Sequence, residues 1–326
     1  MILRVIYLFQ VSYLHSLPSP DRYVCLSFIR SIRVADDGKS YRRAAKVTST
    51  CTCSFRLLSF VTARSLSRIP LTNKRSDSHR ARSQVNALLI VDVQYDFIDG
   101  SLALKNCPSQ HQAEQVIPII NRLVKEMHFD VIVYTQDWHT ADHVSFHDNL
   151  QLRAHLLAKD SKPVEDLKLF DQAVFEFHDD AHGKQARVTQ ILWPSHCVQQ
   201  THGADLHKDL TVVKSTKNCR VINLRKGFER DIDSYSAFWD NQKIRETPLH
   251  SQLRENRVTH VFVTGIATDV CVYATALHAA ENGYRTYIVE DACRGVDETN
   301  IGLRLDELKQ QNCLVVQSTD VKKLLG

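Results

Sequence analysis

From residue 85 onward, short apolar runs alternate with longer stretches of helical period. Val85–Val93 reads Val-Asn-Ala-Leu-Leu-Ile-Val-Asp-Val, a run that predicts a strand buried on both faces of a parallel sheet. Similar strands are predicted at Asp130–Gln136, His260–Gly265, Arg285–Glu290 and Cys313–Gln317. Ala113–His128 sets Val116, Ile119, Ile120, Leu123 and Met127 at the spacing of an amphipathic helix. Helices are also predicted over Asp269–Asn282 and Glu298–Gln311. This alternation predicts a three-layer α/β/α fold around a central, mostly parallel sheet, in one domain over residues 85–326. Residues 149–190 break the rhythm. They are polar and charged, carry no strong strand signal, and read as a long insertion at the C-terminal side of the sheet, a place for lids or interfaces.

Charge separates the first 84 residues from the rest. They hold 15 Lys and Arg against 4 Asp and Glu, a balance of +11, whereas the remainder carries −7 and the whole chain +4. The Arg- and Ser-rich stretch 64–82 has no sustained period. Its poverty in acids fits a mitochondrial transit peptide or a disordered extension. A basic head on an acidic body is not the charge pattern of a nucleic-acid enzyme. No apolar run reaches the roughly 18 residues of a membrane-spanning helix. The expected partner is therefore a small-molecule substrate, with no nucleic acid and no membrane; a homo-oligomer stays open. A cytoplasmic location is expected, with mitochondrial import as the alternative.

Nine cysteines are scattered without a CxxC pair, which excludes a zinc ribbon or thioredoxin motif and suits a reducing compartment. Cys271 stands apart. A strand ends near Gly265 and a helix begins at Thr268 or Asp269, either of which suits an N-cap, with Val270, Tyr273, Ala274, Leu277 and Ala280 as its apolar face. Cys271 then lies in the first turn, where unpaired N–H groups favour an anion, so its thiol is expected to ionise below the usual ~8.5. The same amides suit an oxyanion hole. Asp92 closes the first strand, where a carboxylate costs desolvation unless it is paired, used, or spent as a cap. Asp137 and His139 are two apart, so both can face one way on an extended segment and share a divalent cation; a solvated loop is the plainer reading.

Taken together, Leu89-Ile-Val-Asp-Val-Gln-Tyr-Asp-Phe97, Asp137-Trp-His139, Trp193-Pro-Ser-His-Cys197, Lys226-Gly-Phe228 with Asp233-Ser-Tyr-Ser-Ala-Phe238, and Gly265-Ile-Ala-Thr-Asp-Val-Cys271 resemble the nicotinamidase branch of the isochorismatase-like cysteine hydrolases. The likeness covers residues 86–320 in family order. It implies a triad of Asp92, Lys226 and Cys271, and an oxyanion hole from the amides of Ala267 and Cys271 after a cis Ile266–Ala267 bond. It further implies a divalent metal, zinc first with iron or manganese as alternatives, on Asp137, His139 and His196; His143 or Asp148 would be a fourth ligand. Phe97, Trp193 and Tyr235 would sandwich a substrate ring. The implied activity is amide hydrolysis of nicotinamide to nicotinic acid and ammonia through a thioester, feeding NAD salvage. The alternatives are a cysteine amidase for another small amide or carbamoyl group, and a silent scaffold.

Overall fold

The computed structural model describes residues 84–179 and 184–326, and within the head only three short strands, β1 (Tyr7–Leu8), β2 (Arg30–Val34) and β3 (Ser40–Ala44), paired antiparallel in that order. The chain divides into two units, residues 1–77 and 78–326. The expected transit peptide or disordered extension falls mostly outside the described residues.

The larger unit is built on six strands: β4 (Asn86–Val91), β5 (Val131–Asp137), β8 (Arg220–Lys226), β9 (His260–Ile266), β10 (Arg285–Arg294) and β11 (Leu314–Val316). Their order is β11-β10-β9-β4-β5-β8, and every pairing is parallel. Alternation along β4 explains why the sheet needs cover on both faces. Leu88 and Ile90 join one core cluster while Ala87, Leu89 and Val91 join the other, all fully buried. Helix α2 (Val116–Glu126) covers the first face with Val116, Ile117, Ile120 and Leu123; Ile119 and Met127 are only partly buried. Helices α3 (Leu249–Glu255), α4 (Tyr273–Glu281) and α5 (Glu298–Gln310) cover the second. Two short helices, α1 (Tyr95–Ile98) and α6 (Val321–Leu324), complete the set. The three-layer expectation holds.

Three local readings need correction. First, β8 was not foreseen: as an edge strand it buries only alternate residues, Ile222, Leu224 and Lys226, and so lacks a continuous apolar run. Second, residues 149–190 are not strandless. After a 3₁₀ segment, His147–Leu156, the chain forms an antiparallel hairpin of β6 (Gln172–Asp179) and β7 (Lys184–Ile191). Its buried Ala173 and Phe175 flank an apolar Val174 that blurs the alternation, and Val188 stands alone between Arg187 and Thr189. Third, the sheet-facing stripe is Val272, at the end of the turn before α4, with Ala276 and Ala279 of α4, small enough for close packing, while the foreseen Val270, Tyr273, Ala274, Leu277 and Ala280 are partly buried flanks. Tyr273 instead reaches α5, where the Arg304 guanidinium lies 4.6 Å from its ring centroid.

β4 is the point where the strand order turns: β5 lies on one side and β9 on the other. In open parallel sheets a crevice forms beyond the C-terminal ends of such strands. Asp92 follows β4, Asp137 ends β5, Lys226 ends β8, and Cys271 lies just past β9. Register brings Asp137 directly opposite Lys226, and Val91 opposite Gly265. That last approach explains a glycine: a Cβ on Gly265 (φ +111°) would lie 2.0 Å from the Val91 carbonyl oxygen.

Candidate active site

Lys226 is almost wholly buried, and an ammonium there needs anions around it. Its Nζ lies 2.9 Å from Asp92 Oδ2, 2.5 Å from Asp137 Oδ1 and 3.4 Å from Cys271 Sγ, and donates to the Ser234 carbonyl at 3.0 Å. Burial opposes its charge, but the two carboxylates hold its pKa well above the ordinary lysine value. One cation thus joins the other two foreseen triad residues, Asp92 and Cys271, to the first foreseen metal ligand.

Asp92 takes φ +51°, a left-handed conformation uncommon for a residue with a Cβ. It is enclosed completely. Burial pushes its carboxyl up to about 6, against the pull of Lys226 and a hydrogen bond from Thr135 Oγ1 at 2.6 Å. Cys271 corrects the sequence expectation of an acidic thiol. Burial raises it well above the ordinary cysteine value, and the carboxylates of Asp137 and Asp92 add to this, outweighing Lys226. The resting group is a thiol beside a base. The turn around it, Thr268–Val272, is a π-turn whose N-cap is Ala267. Neither Thr268 nor Asp269 caps it; Asp269 accepts instead from the amides of Val296 and Asp297. The Ile266–Ala267 peptide is cis.

Asp137, His139 and His196 are buried with their ligand atoms all within 4.8 Å of one another. Their second partners fit a metal. His139 Nδ1 bonds the Gly227 carbonyl at 2.6 Å and His196 Nδ1 the Pro194 carbonyl at 2.7 Å, which leaves each Nε2 free as a ligand. Asp137 Oδ1 faces Lys226, while Oδ2 lies 3.6 Å from His139 Nε2. Burial works against ionising Asp137, yet Lys226 and His139 hold it far below the carboxylate range. For His196, burial and then His139 lower the imidazole to about 4, so it is neutral near pH 7, the form that ligates. The ring of His143 stacks on His139 at 4.1 Å; its Nδ1 bonds Ser145 Oγ, and its buried Nε2 has no protein partner. Asp148 is not brought in: it is exposed and accepts from Ser195 Oγ.

Cys271, Asp137, His139 and His196 open onto a pocket with about 390 Å³ of empty space, its open mouth included, while Asp92, Lys226 and His143 stand behind the lining. Phe97, Trp193, Tyr235, Ala267 and Cys271 all line it, beside Asp137, His139 and His196. Sequence reasoning missed its apolar floor of Leu102, Leu104, Val270 and Val296, and the buried Asp233. It also missed Gln94, whose amide holds Asp137 from both sides: Oε1 accepts from the Asp137 N–H and Nε2 donates to its carbonyl, each at 2.8 Å. The available signal was a glutamine two residues after Asp92, inside the quoted motif at the end of an apolar run.

Residues 86–320 match the isochorismatase domain family. The nicotinamidase of Acinetobacter baylyi is 39% identical over 212 residues, which are 65% of this chain and 82% of the relative. The solved Acinetobacter baumanii nicotinamidase superposes with a TM-score of 0.57 at 36% identity, covering 74% of this chain and 99% of its own. The yeast nicotinamidase bound to the inhibitor nicotinaldehyde gives 0.58 at 31% identity, covering 72% and 100%. Among the described residues no helix is long and apolar enough to cross a membrane.

Proposed function

The chain belongs to the isochorismatase family, and from that premise we propose that it is a nicotinamidase, hydrolysing nicotinamide to nicotinic acid and ammonia. The observation that carries the reading is Lys226, which touches Asp92, Asp137 and Cys271 at once and so ties nucleophile, base and metal cluster to one cavity.

Amide hydrolysis needs a nucleophile, a group that first takes and then returns a proton, and donors for the carbonyl oxygen. Asp92 takes the Cys271 proton as sulfur attacks the carboxamide carbon. Its raised pKa suits both holding and releasing that proton. Lys226 stays charged and favours the thiolate as it forms. The amides of Ala267 and Cys271 receive the oxyanion. The C–N bond breaks as Asp92 returns its proton to the departing nitrogen, which leaves as ammonia from a thioester. Water then adds, giving its proton to Asp92; the C–S bond breaks, and sulfur recovers the proton as nicotinic acid departs.

Asp137, His139 and His196 would hold one divalent ion, zinc by preference, and His143 Nε2 offers a fourth ligand; the donor set also accepts iron or manganese. When bound, such an ion supplies a Lewis-acid site for the pyridine nitrogen, which is orientation rather than chemistry on the amide. Phe97, Trp193 and Tyr235 enclose the ring, and the unpaired cysteines among the described residues suit the cytoplasm.

The test is ammonia release by the purified, metal-loaded protein, with Cys271→Ala and Asp92→Asn as controls. Turnover should exceed both variants by at least about a hundredfold. Wild-type turnover no higher than either control overturns the assignment.

A further inference from the structure

The inserted hairpin reaches the aromatic wall of the cavity through the Gln190 side chain. Alternation along β7 puts Val188 and Gln190 on its buried face, in register with Phe175 and Ala173 of β6. Three of these are apolar, as a buried face demands; Gln190, 1% exposed, is not. A primary amide enclosed there must find partners. Its Nε2 reaches the Ile191 carbonyl at 2.9 Å, Asp233 Oδ2 at 3.0 Å and Tyr235 Oη at 3.2 Å. A carbonyl and a carboxylate only accept, so the NH₂ end has to face this way and the amide has one orientation. Tyr235 Oη also receives Trp193 Nε1 at 3.4 Å. One hydroxyl thus joins Gln190 to two of the cavity's aromatic walls, while Gln190 itself stays behind the lining. The insertion supports the same wall a second time, through Phe170, whose ring meets Trp193 edge-on at 5.8 Å.

We infer that Gln190 is a positioning residue for substrate: through it the hairpin sets the slot beside Trp193 and Tyr235 that receives a flat six-membered heteroaromatic amide. The inference rests on the nicotinamidase reading of this cavity. The ring itself is unchanged between bound substrate and transition state, so a displaced wall weakens both equally. Loss of Gln190 then falls on KM and spares kcat, opposite to loss of Asp92 or Cys271.

The experiment compares the full-length metal-loaded protein with Gln190→Met, which keeps bulk and removes the donors, with Tyr235→Phe, which removes their shared acceptor, and with the double variant. Each single change should raise KM for nicotinamide about five- to tenfold while kcat moves less than about twofold. In the double variant KM should rise by less than the product of the two, because the same bond is removed twice. An unchanged KM in Gln190→Met, a fall in kcat at constant KM, or multiplicative effects would each leave Gln190 as mere support for the fold and overturn the inference. Should Gln190→Met fail to fold, Gln190→Leu, which removes the same donors at similar bulk, decides by the same KM criterion. A wild-type protein without turnover overturns the nicotinamidase reading separately. Titration with nicotinate, followed by tryptophan fluorescence, then judges Gln190 by whether its loss weakens binding.

Discussion

Asp92 starts from an ordinary carboxyl value of 3.8 and reaches about 6 because burial outweighs the attraction of Lys226. Only its ionised form can take the Cys271 proton. Activity is therefore present above that value and lost as pH falls through it, with kcat/KM dropping about tenfold per unit below pH 6. A pH–rate profile checks this, and a limb near 4 would contradict it. Thr135 Oγ1 donates to the carboxylate and so stabilises the charged form. Thr135→Val removes that donor, raises the Asp92 pKa further and should move the acid limb to higher pH. Asp92→Asn should lower kcat by about 10²–10⁴-fold. Asp92 and Cys271 were legible as single residues because a strand end and a helix start are places where chemistry concentrates. The protonation state of Cys271 was not legible. The sequence shows the helix start that favours a thiolate but not the surrounding burial and the two carboxylates that favour the thiol.

The strands that carry the site were legible in proportion to how evenly they are buried. β4, β5 and β9 lie inside the sheet and announce themselves as apolar runs, so three of the four strands that carry the site were foreseen. β8 is an edge strand, and its contribution is a lysine, a residue that usually marks a solvated edge. Its end also carries Gly227, at φ +68°, whose carbonyl fixes His139. A Cβ on Gly227 would lie 2.5 Å from His139 Cε1, and the positive φ disfavours any side chain. Gly227→Ala should therefore push His139 off its seat and weaken metal binding about 10–100-fold, as loss of an outer partner of a ligating imidazole does. Competition with a chelator measures it. Wild-type retention would show that the β8 end does not orient the ligand.

At the scale of the whole molecule, the family motifs made the site readable although its residues are far apart in sequence. Asp92, Lys226 and Cys271 converge only because β9, β4, β5 and β8 lie side by side. What the motifs did not give was the supporting role of residues such as Gln94 and Asp233, which lie inside them, and Gln190, which lies outside; those roles depend on which backbones pass nearby. The residues given a chemical role lie between Asp92 and Cys271, and the rest of the cavity lining reaches only to Val296, all within the unit 78–326. That unit holds the complete six-stranded sheet and both faces of cover, so its folding should not require the basic head. A chain beginning at residue 78 is predicted to keep its metal and to turn over nicotinamide within about twofold of the full chain. Its net charge changes from +4 to −5 with His neutral, so at pH 7 it should bind an anion exchanger more tightly than the full chain. Retained charge behaviour with lost turnover would assign the head a part in the active enzyme, which no side chain of the described site requires.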